Sequence, residues 1–159
     1  TSLLERKLDL AFLMGPVSEF SVENVPLPSF DLHWYRSVSN AQTDLSVVPV
    51  ISYARMTRPY RELMSELSRR IGPSVRVFAS ASLSASLKMI AAGIAVGPYP
   101  RALARDFLKS EQIVEFDAGF RPQPLQFTAS YLSEPRSFLV ENSAEIAQSV
   151  ALNWDKSQP

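Results

Sequence analysis

No cysteine occurs in the 159 residues, which excludes disulfide scaffolds and thiolate metal sites and suits a reducing compartment. There is no charge imbalance either: 16 Lys and Arg offset 16 Asp and Glu, for a formal net charge of zero. Without a basic excess, the segment carries no electrostatic footprint for nucleic acid. No apolar run approaches the roughly 18 residues of a membrane span. The N-terminus shows neither a basic start with an apolar core nor a small-residue cleavage site. A soluble cytoplasmic protein without membrane contact is therefore expected. Histidine occurs once. His33 lies on an extended apolar segment beside Trp34 and Tyr35, where packing is its expected role. No nucleophile elbow or oxyanion-hole motif accompanies it, and no acid–base pair stands out by spacing. No catalytic residue, metal ligand or cofactor is assigned, and the chain reads as non-enzymatic. It opens without methionine and inside what reads as the end of a helix, Thr1 to Lys7, so a fragment of a longer protein is expected.

The strongest positive signal lies between Val75 and Pro100. An apolar strand (VRVFAS) runs into a serine-rich turn (ASLSAS), an amphipathic helix (LKMIAAG) and a second apolar strand (IAVGPYP). Ser80, Ser82, Ser84 and Ser86 surround the start of that helix. A helix start carries unpaired N–H groups and partial positive charge, and hydroxyls clustered there suit a small anion. Capping alone would also explain serines in this position.

The rest of the chain alternates in the same way. Leu8 to Leu13 reads as a short strand, Val25 to Leu27 and Leu32 to Val38 as extended, and Leu45 to Tyr53 as an apolar β-branched strand. A helix follows from Pro59 to Ile71, with Leu63, Met64, Leu67 and Ile71 on one face. In the serine-capped helix, Leu83, Leu87, Ile90 and Ile94 share a face. Ile94 to Val96 reads as strand, Arg101 to Leu108 as helix, and Ile113 to Phe116 as extended. Leu125 to Leu132 alternates apolar and polar residues as a half-exposed strand does. A last helix runs from about Arg136 to Trp154, packing through Val140, Ala144, Ala147, Ala151 and Trp154.

Alternating strands and helices indicate an α/β fold with parallel strand pairs. Right-handed crossovers would then bring three helix starts, near Pro59, Ser82 and Arg101, to one edge of the sheet, where open α/β sheets bind ligands. The loops there supply Arg55, Met56, Thr57, Arg58, Ser80, Ser82, Pro98 and Tyr99. This inventory of hydroxyls, amides, guanidiniums, a thioether and a phenol suits a small carboxylate or sulfonate with an apolar, including aromatic, body. Met14 and Gly15, at the end of the first strand, join the candidate lining. Thr57 has the alternative role of a simple helix cap.

The order LLERKLDLAF, VPL, VVPVISY, VRVFASASLSASLKMIAAGIAVGPYP and IVEF resembles the effector-binding domain of LysR-type transcriptional regulators over nearly the whole chain. Leu8-Asp9-Leu10-Ala11 resembles the family's "LDLA" strand, Ala91-Ala92-Gly93-Ile94 its helix-to-strand junction, and Pro100 the proline closing the next strand. Three departures stand out. Arg6 occupies a usual glycine position before LDLA, Ala95 replaces a usual second glycine, and Gly97-Pro98 interrupts a usually unbroken apolar strand.

The resemblance implies a two-lobed, periplasmic-binding-protein-like fold of parallel-strand-rich sheets flanked by helices, with lobe I incomplete. Lobe I would comprise residues 1–40 and 136–159, lobe II residues 41–135, with hinges near 37–45 and 132–137. It implies a small organic anion effector held between the lobes, promoter DNA contacted through an N-terminal helix-turn-helix outside this chain, and a homodimer or homotetramer. A solute-binding protein of a transport system would share the fold and is the alternative reading.

Overall fold

A computed structural model describes residues 2–156. In chain order its elements are β1 (Leu10–Met14), β2 (Val22–Pro26), β3 (Leu32–Ser37), β4 (Val50–Ser52), α1 (Arg58–Arg70), β5 (Val77–Ala79), α2 (Leu83–Ala91), β6 (Gly97–Pro100), α3 (Arg101–Lys109), β7 (Ile113–Glu115), β8 (Phe127–Leu132) and α4 (Phe138–Lys156). Two compact units divide the chain, Thr1–Phe30 with Leu125–Pro159, and Asp31–Pro124. Thr1 and residues 157–159, which the sequence reading assigns to the opening helix and to lobe I, lie outside the described residues.

In the first unit β8 is the middle strand of an antiparallel sheet ordered β1-β8-β2, and α4 packs on β8 and β2. The sequence pattern predicts β8 half-exposed, yet Thr128, Ala129 and Ser130 are all buried. Its polar side is tolerated because every hydroxyl there finds a partner, as burial demands. Thr128 Oγ1 donates to the Gly15 carbonyl at 3.1 Å and lies 2.9 Å from Ser130 Oγ, which lies 2.8 Å from Asn24 Oδ1. Asn24 in turn ties down the Val17 backbone through two bonds. On α4 the predicted packing position Ala144 is fully buried, and Trp154 lies 5.9 Å from the Phe30 ring.

In the second unit β4 and β5 pair in parallel, and an isolated parallel bridge joins Val50 to Val96. The parallel pairing expected for the α/β class is confined to these contacts among the described residues. The sheet β6-β3-β7 is antiparallel. Leu63 and Leu67 of α1 form one core with Trp34, Leu45, Val48, Val50 and Val96, while α2 packs on β3 and β4 through buried Leu87 and Ile90.

Several boundaries depart from the pattern-based reading, each for a local reason. The Leu45–Tyr53 run yields only a three-residue strand. Asp44 captures its first half in a turn by accepting Val47 and Val48 amides on its carbonyl and both Ser46 donors on its carboxylate. Those Ser46 bonds hold the Asp44 carboxyl below its ordinary pKa. Ile94 is exposed rather than on the packed face of α2. Gly93, at φ +73°, ends the helix, with Ile94 N–H on the Met89 carbonyl and Gly93 N–H on the Ile90 carbonyl, the Schellman arrangement. Leu83, in the first turn of α2, is likewise exposed.

The unit boundaries differ as well. The sequence reading places Leu32–Ser37 with residues 1–40 and Phe127–Leu132 with residues 41–135. The chain instead changes unit after Phe30 and after Pro124. Each of these strands is the middle strand of its sheet, so its two neighbours, not the polar break that follows it, decide where it belongs.

Candidate functional site

The parallel register of β4 and β5 pairs Ser52 with Ala79, so the turns leading into α1 and α2 leave the same edge of the second unit. The Ser80 amide extends the ladder by donating to the Ser52 carbonyl at 3.0 Å. Thr57 is the N-cap of α1. Its Oγ1 accepts the Tyr60 amide at 3.4 Å and donates to the Ala54 carbonyl at 2.6 Å. Ser82 is the N-cap of α2, with its Oγ accepting the Ala85 amide at 3.3 Å. Ser80 Oγ accepts the Ser82 amide and donates to the Ser82 carbonyl, which also receives the Ser86 hydroxyl.

This accounting shows what remains free for chemistry. The hydroxyl protons of Thr57, Ser80 and Ser86 are already committed. Ser82 keeps its own proton, with no acceptor among the described residues, and the Leu83 and Ser84 amides are first-turn donors that a helix cannot satisfy internally. Neither helix has an acidic residue in its first turn, so no carboxylate neutralises the positive end. In α1, Pro59 in the first turn removes one such donor. The start of α2 thus keeps more unpaired donors than the start of α1.

The remaining predicted residues are distributed unevenly. Arg55 and Met56 are exposed beside Thr57. Arg58 is committed along its helix, its Nε 2.6 Å from Glu62 Oε1. Pro98 and Tyr99 are buried in β6 rather than standing in an open loop, and packing is the role the sequence favours for Tyr99. Tyr99 Oη reaches the Ile51 carbonyl at 3.5 Å and its ring packs 5.4 Å from Tyr53. Burial pushes its phenol up to about 12. Pro98, with Tyr53, Pro59 and Leu63, lines a cavity of about 130 Å³ that also presents Glu62, Glu66 and Arg121, a lining of mixed charge. Met14 and Gly15 lie at the end of β1 in the first unit, where the Gly15 amide donates to the Gln126 carbonyl.

The third helix start is capped differently. α3 follows Pro100 with no side-chain cap bond. Val96, just before β6, forms a parallel bridge to Val50 of β4, β6 itself pairs with β3, and Arg101 is drawn to Glu115 at 3.1 Å. One residue escapes sequence reasoning altogether. Ser52 is fully buried and its Oγ has no partner. The available signal is a serine inside an otherwise apolar run, LSVVPVISY. Among the described residues no group of three or more His, Cys, Asp and Glu could hold a metal ion, and no helix is long and apolar enough to cross a membrane.

A family model described as the LysR substrate binding domain matches residues 1–151. No curated protein is significantly similar to the chain in sequence. Among solved structures, full-length HypT from Salmonella typhimurium, a hypochlorite-specific LysR-type transcriptional regulator, is similar at TM-score 0.76 and 16% identity, with 96% of this chain and 55% of that one covered. The effector-binding domain of QuiR in complex with shikimate is similar at TM-score 0.73 and 14% identity, covering 96% and 76%. Full-length LysG from Corynebacterium glutamicum with bound effector Arg is similar at TM-score 0.67 and 18% identity, covering 94% and 53%. The chain therefore spans about half the length of these full-length regulators. At such identities the likeness is one of fold.

Proposed function

The chain belongs to the LysR substrate-binding domain family, and from that premise we propose that it senses a small organic anion at the helix starts of its second unit. The observation that carries this reading is the parallel β4–β5 pair. It delivers the α1 and α2 caps, Thr57 and Ser82, to one edge, with the Ser82 hydroxyl and the first α2 amides unspent. Ser80 shapes that turn, Arg55 and Met56 stand exposed beside the Thr57 cap, and Arg58 would have to leave Glu62 to take part. Backbone amides at a helix N-terminus bind carboxylates and sulfonates well. The ligands named for two proteins of similar fold, shikimate in the QuiR complex and the bound effector Arg of LysG, both carry a carboxylate.

The role is recognition rather than catalysis. The proposed output is transcriptional. Occupancy shifts an equilibrium between arrangements of a cytoplasmic homodimer or homotetramer, and so changes how a helix-turn-helix domain of the whole regulator engages promoter DNA. Only a difference in effector affinity between the arrangements can drive that shift.

The test is a thermal-shift screen of the chain against short-chain and aromatic carboxylates and sulfonates, each paired with its neutral amide. A ligand at 100 times its Kd stabilises by about 2.7 kcal/mol. Stabilisation by anions and not by their amides is expected; indifference to all of them, or equal response to the amides, removes the anion reading.

A further inference from the structure

We propose that the second unit carries another binding site, built on β3, β7 and the turn that follows them, for a small zwitterion such as an α-amino acid. A cavity of about 360 Å³ is lined there by His33, Glu115, Phe116, Asp117, Phe120 and Arg121, among others. That volume falls within the range of small-molecule pockets.

The walls are fixed before any guest arrives. The Phe116 amide donates to the Trp34 carbonyl at 3.0 Å, Trp34 Nε1 donates to the Phe120 carbonyl at 2.9 Å, and Asp117 Oδ1 accepts the Gly119 amide at 2.8 Å. The Trp34 ring packs 6.0 Å from Phe116 and 5.5 Å from Phe120. A turn held at both ends and in its middle forms a rigid rim.

The charges on that rim decide the ligand class. Glu115 is already taken by Arg101 at 3.1 Å, His33 Nδ1 at 3.4 Å and the Tyr35 hydroxyl at 3.5 Å. Asp117 spends one carboxylate oxygen on the turn and keeps the other. Arg121 is exposed and forms no ion pair with any described residue. An unspent cation and an unspent anion therefore line one cavity without closing on each other. A simple anion would satisfy Arg121 and meet repulsion from Asp117; a simple cation would do the reverse. A guest with a carboxylate at one end and an ammonium at the other satisfies both with charge-assisted hydrogen bonds.

The chain's only imidazole, His33, lines this cavity, so its ring proton signals report on it without overlap. The experiment titrates the 159-residue chain with glycine and L-alanine at constant pH and ionic strength, with acetate and methylammonium as the two half-ligands. Saturable His33 shifts with Kd of about 1 mM are expected for the amino acids, on the scale allowed to so few non-hydrogen atoms. Binding should weaken about tenfold for each half-ligand, in Arg121→Gln and in Asp117→Asn, each change removing one charge-assisted contact. Asparagine retains a side-chain oxygen for the Gly119 amide, and preserved spectral dispersion verifies that each variant is folded. No saturable shift, equal binding of acetate or methylammonium, or undiminished glycine binding in either variant overturns the site.

Discussion

The Ser80 amide sits 3.0 Å from the Ser52 carbonyl, one step past the last register pair of β4 and β5, so the turn into α2 begins as a continuation of the parallel ladder. That bond fixes where Ser82 stands, and Ser82 then performs two separable tasks. It caps α2, and it holds a hydroxyl proton available to a ligand. Ser82→Ala should cost about 1 kcal/mol through loss of the cap, whereas Ser82→Gly should cost only a few tenths. Both remove the hydroxyl donor. In urea unfolding the alanine variant should fall below the glycine variant, while anion-induced thermal stabilisation should drop equally in both. Undiminished stabilisation of Ser82→Gly would take the hydroxyl out of the site and leave the backbone amides alone.

Ser52 offers the opposite kind of test. Its Oγ is buried and unpartnered, a state that costs about 1–3 kcal/mol of desolvation. Ser52→Ala removes the polar atom and leaves a void of one hydroxyl. The expected outcome is unchanged stability or a gain of up to about 1 kcal/mol in urea unfolding. A loss larger than about 1 kcal/mol would show that the hydroxyl is satisfied in solution by a group that binds there.

Particular residues show what the sequence makes legible and what it does not. Period and punctuation find α1 to within a residue, because Thr57, Pro59 and Gly72 mark its ends chemically. The Ala-Ala-Gly-Ile junction is legible for the same reason, since only the left-handed glycine closes the helix. Arg6 shows the limit of that reasoning. It adopts φ +55°, the left-handed conformation associated with glycine at this position, so the turn persists without its usual residue. The Thr57 and Ser82 caps could be read from residue type alone. Which of their protons stay free could not, because Ser80, Ser86 and Ala54 decide that through neighbours set by the fold. Packing is the role the sequence favours for Tyr99, but the Gly-Pro break before it suggests a loop, and nothing local reveals that its ring lies in a strand against Tyr53.

Gly97 is required for space rather than for conformation. A Cβ built on it would lie 2.5 Å from the Ile51 carbonyl oxygen and 2.9 Å from Tyr99 Cε2. The carbonyl belongs to buried β4, whose Ile51 amide is itself bonded to Val96, so it cannot withdraw without breaking the ladder. Gly97→Ala should therefore destabilise by about 1–3 kcal/mol, the usual cost of overpacking a core. Gly72→Ala is the control. Its Cβ would meet nothing within 4 Å, so its cost comes from the left-handed backbone alone, at about 1–2 kcal/mol. Urea midpoints of the two variants, with m-values compared for constancy, separate crowding from backbone strain. A Gly97→Ala variant as stable as the parent would mean that β4 and β6 can move apart.

Burial of the tyrosines around β4 sets the alkaline limit of the fold. Desolvation raises Tyr53 and Tyr35 well above the ordinary phenol range, and Tyr99 to about 12, with the Ser86 hydroxyl working in the other direction. An unfolded phenol titrates near 10. The native state thus holds these protons more tightly than the unfolded state, and linkage gives stability a negative slope with pH wherever the unfolded state has lost protons that the folded state keeps. For Tyr99 the contribution is complete below about pH 10 and is lost as pH rises through about 12. Unfolding free energy should accordingly be flat near neutrality and fall between about pH 10 and 12. Tyr99→Phe forfeits a long 3.5 Å contact to the Ile51 carbonyl and the Ser86 hydroxyl's interaction with the phenol, so it should lose about 1 kcal/mol at pH 7. It should also make the alkaline decline shallower. Urea unfolding across this pH range, with tyrosinate absorbance followed in the folded protein, checks both statements. Folded-state titration of all five tyrosines near 10 would refute the buried placement of the β6 ring.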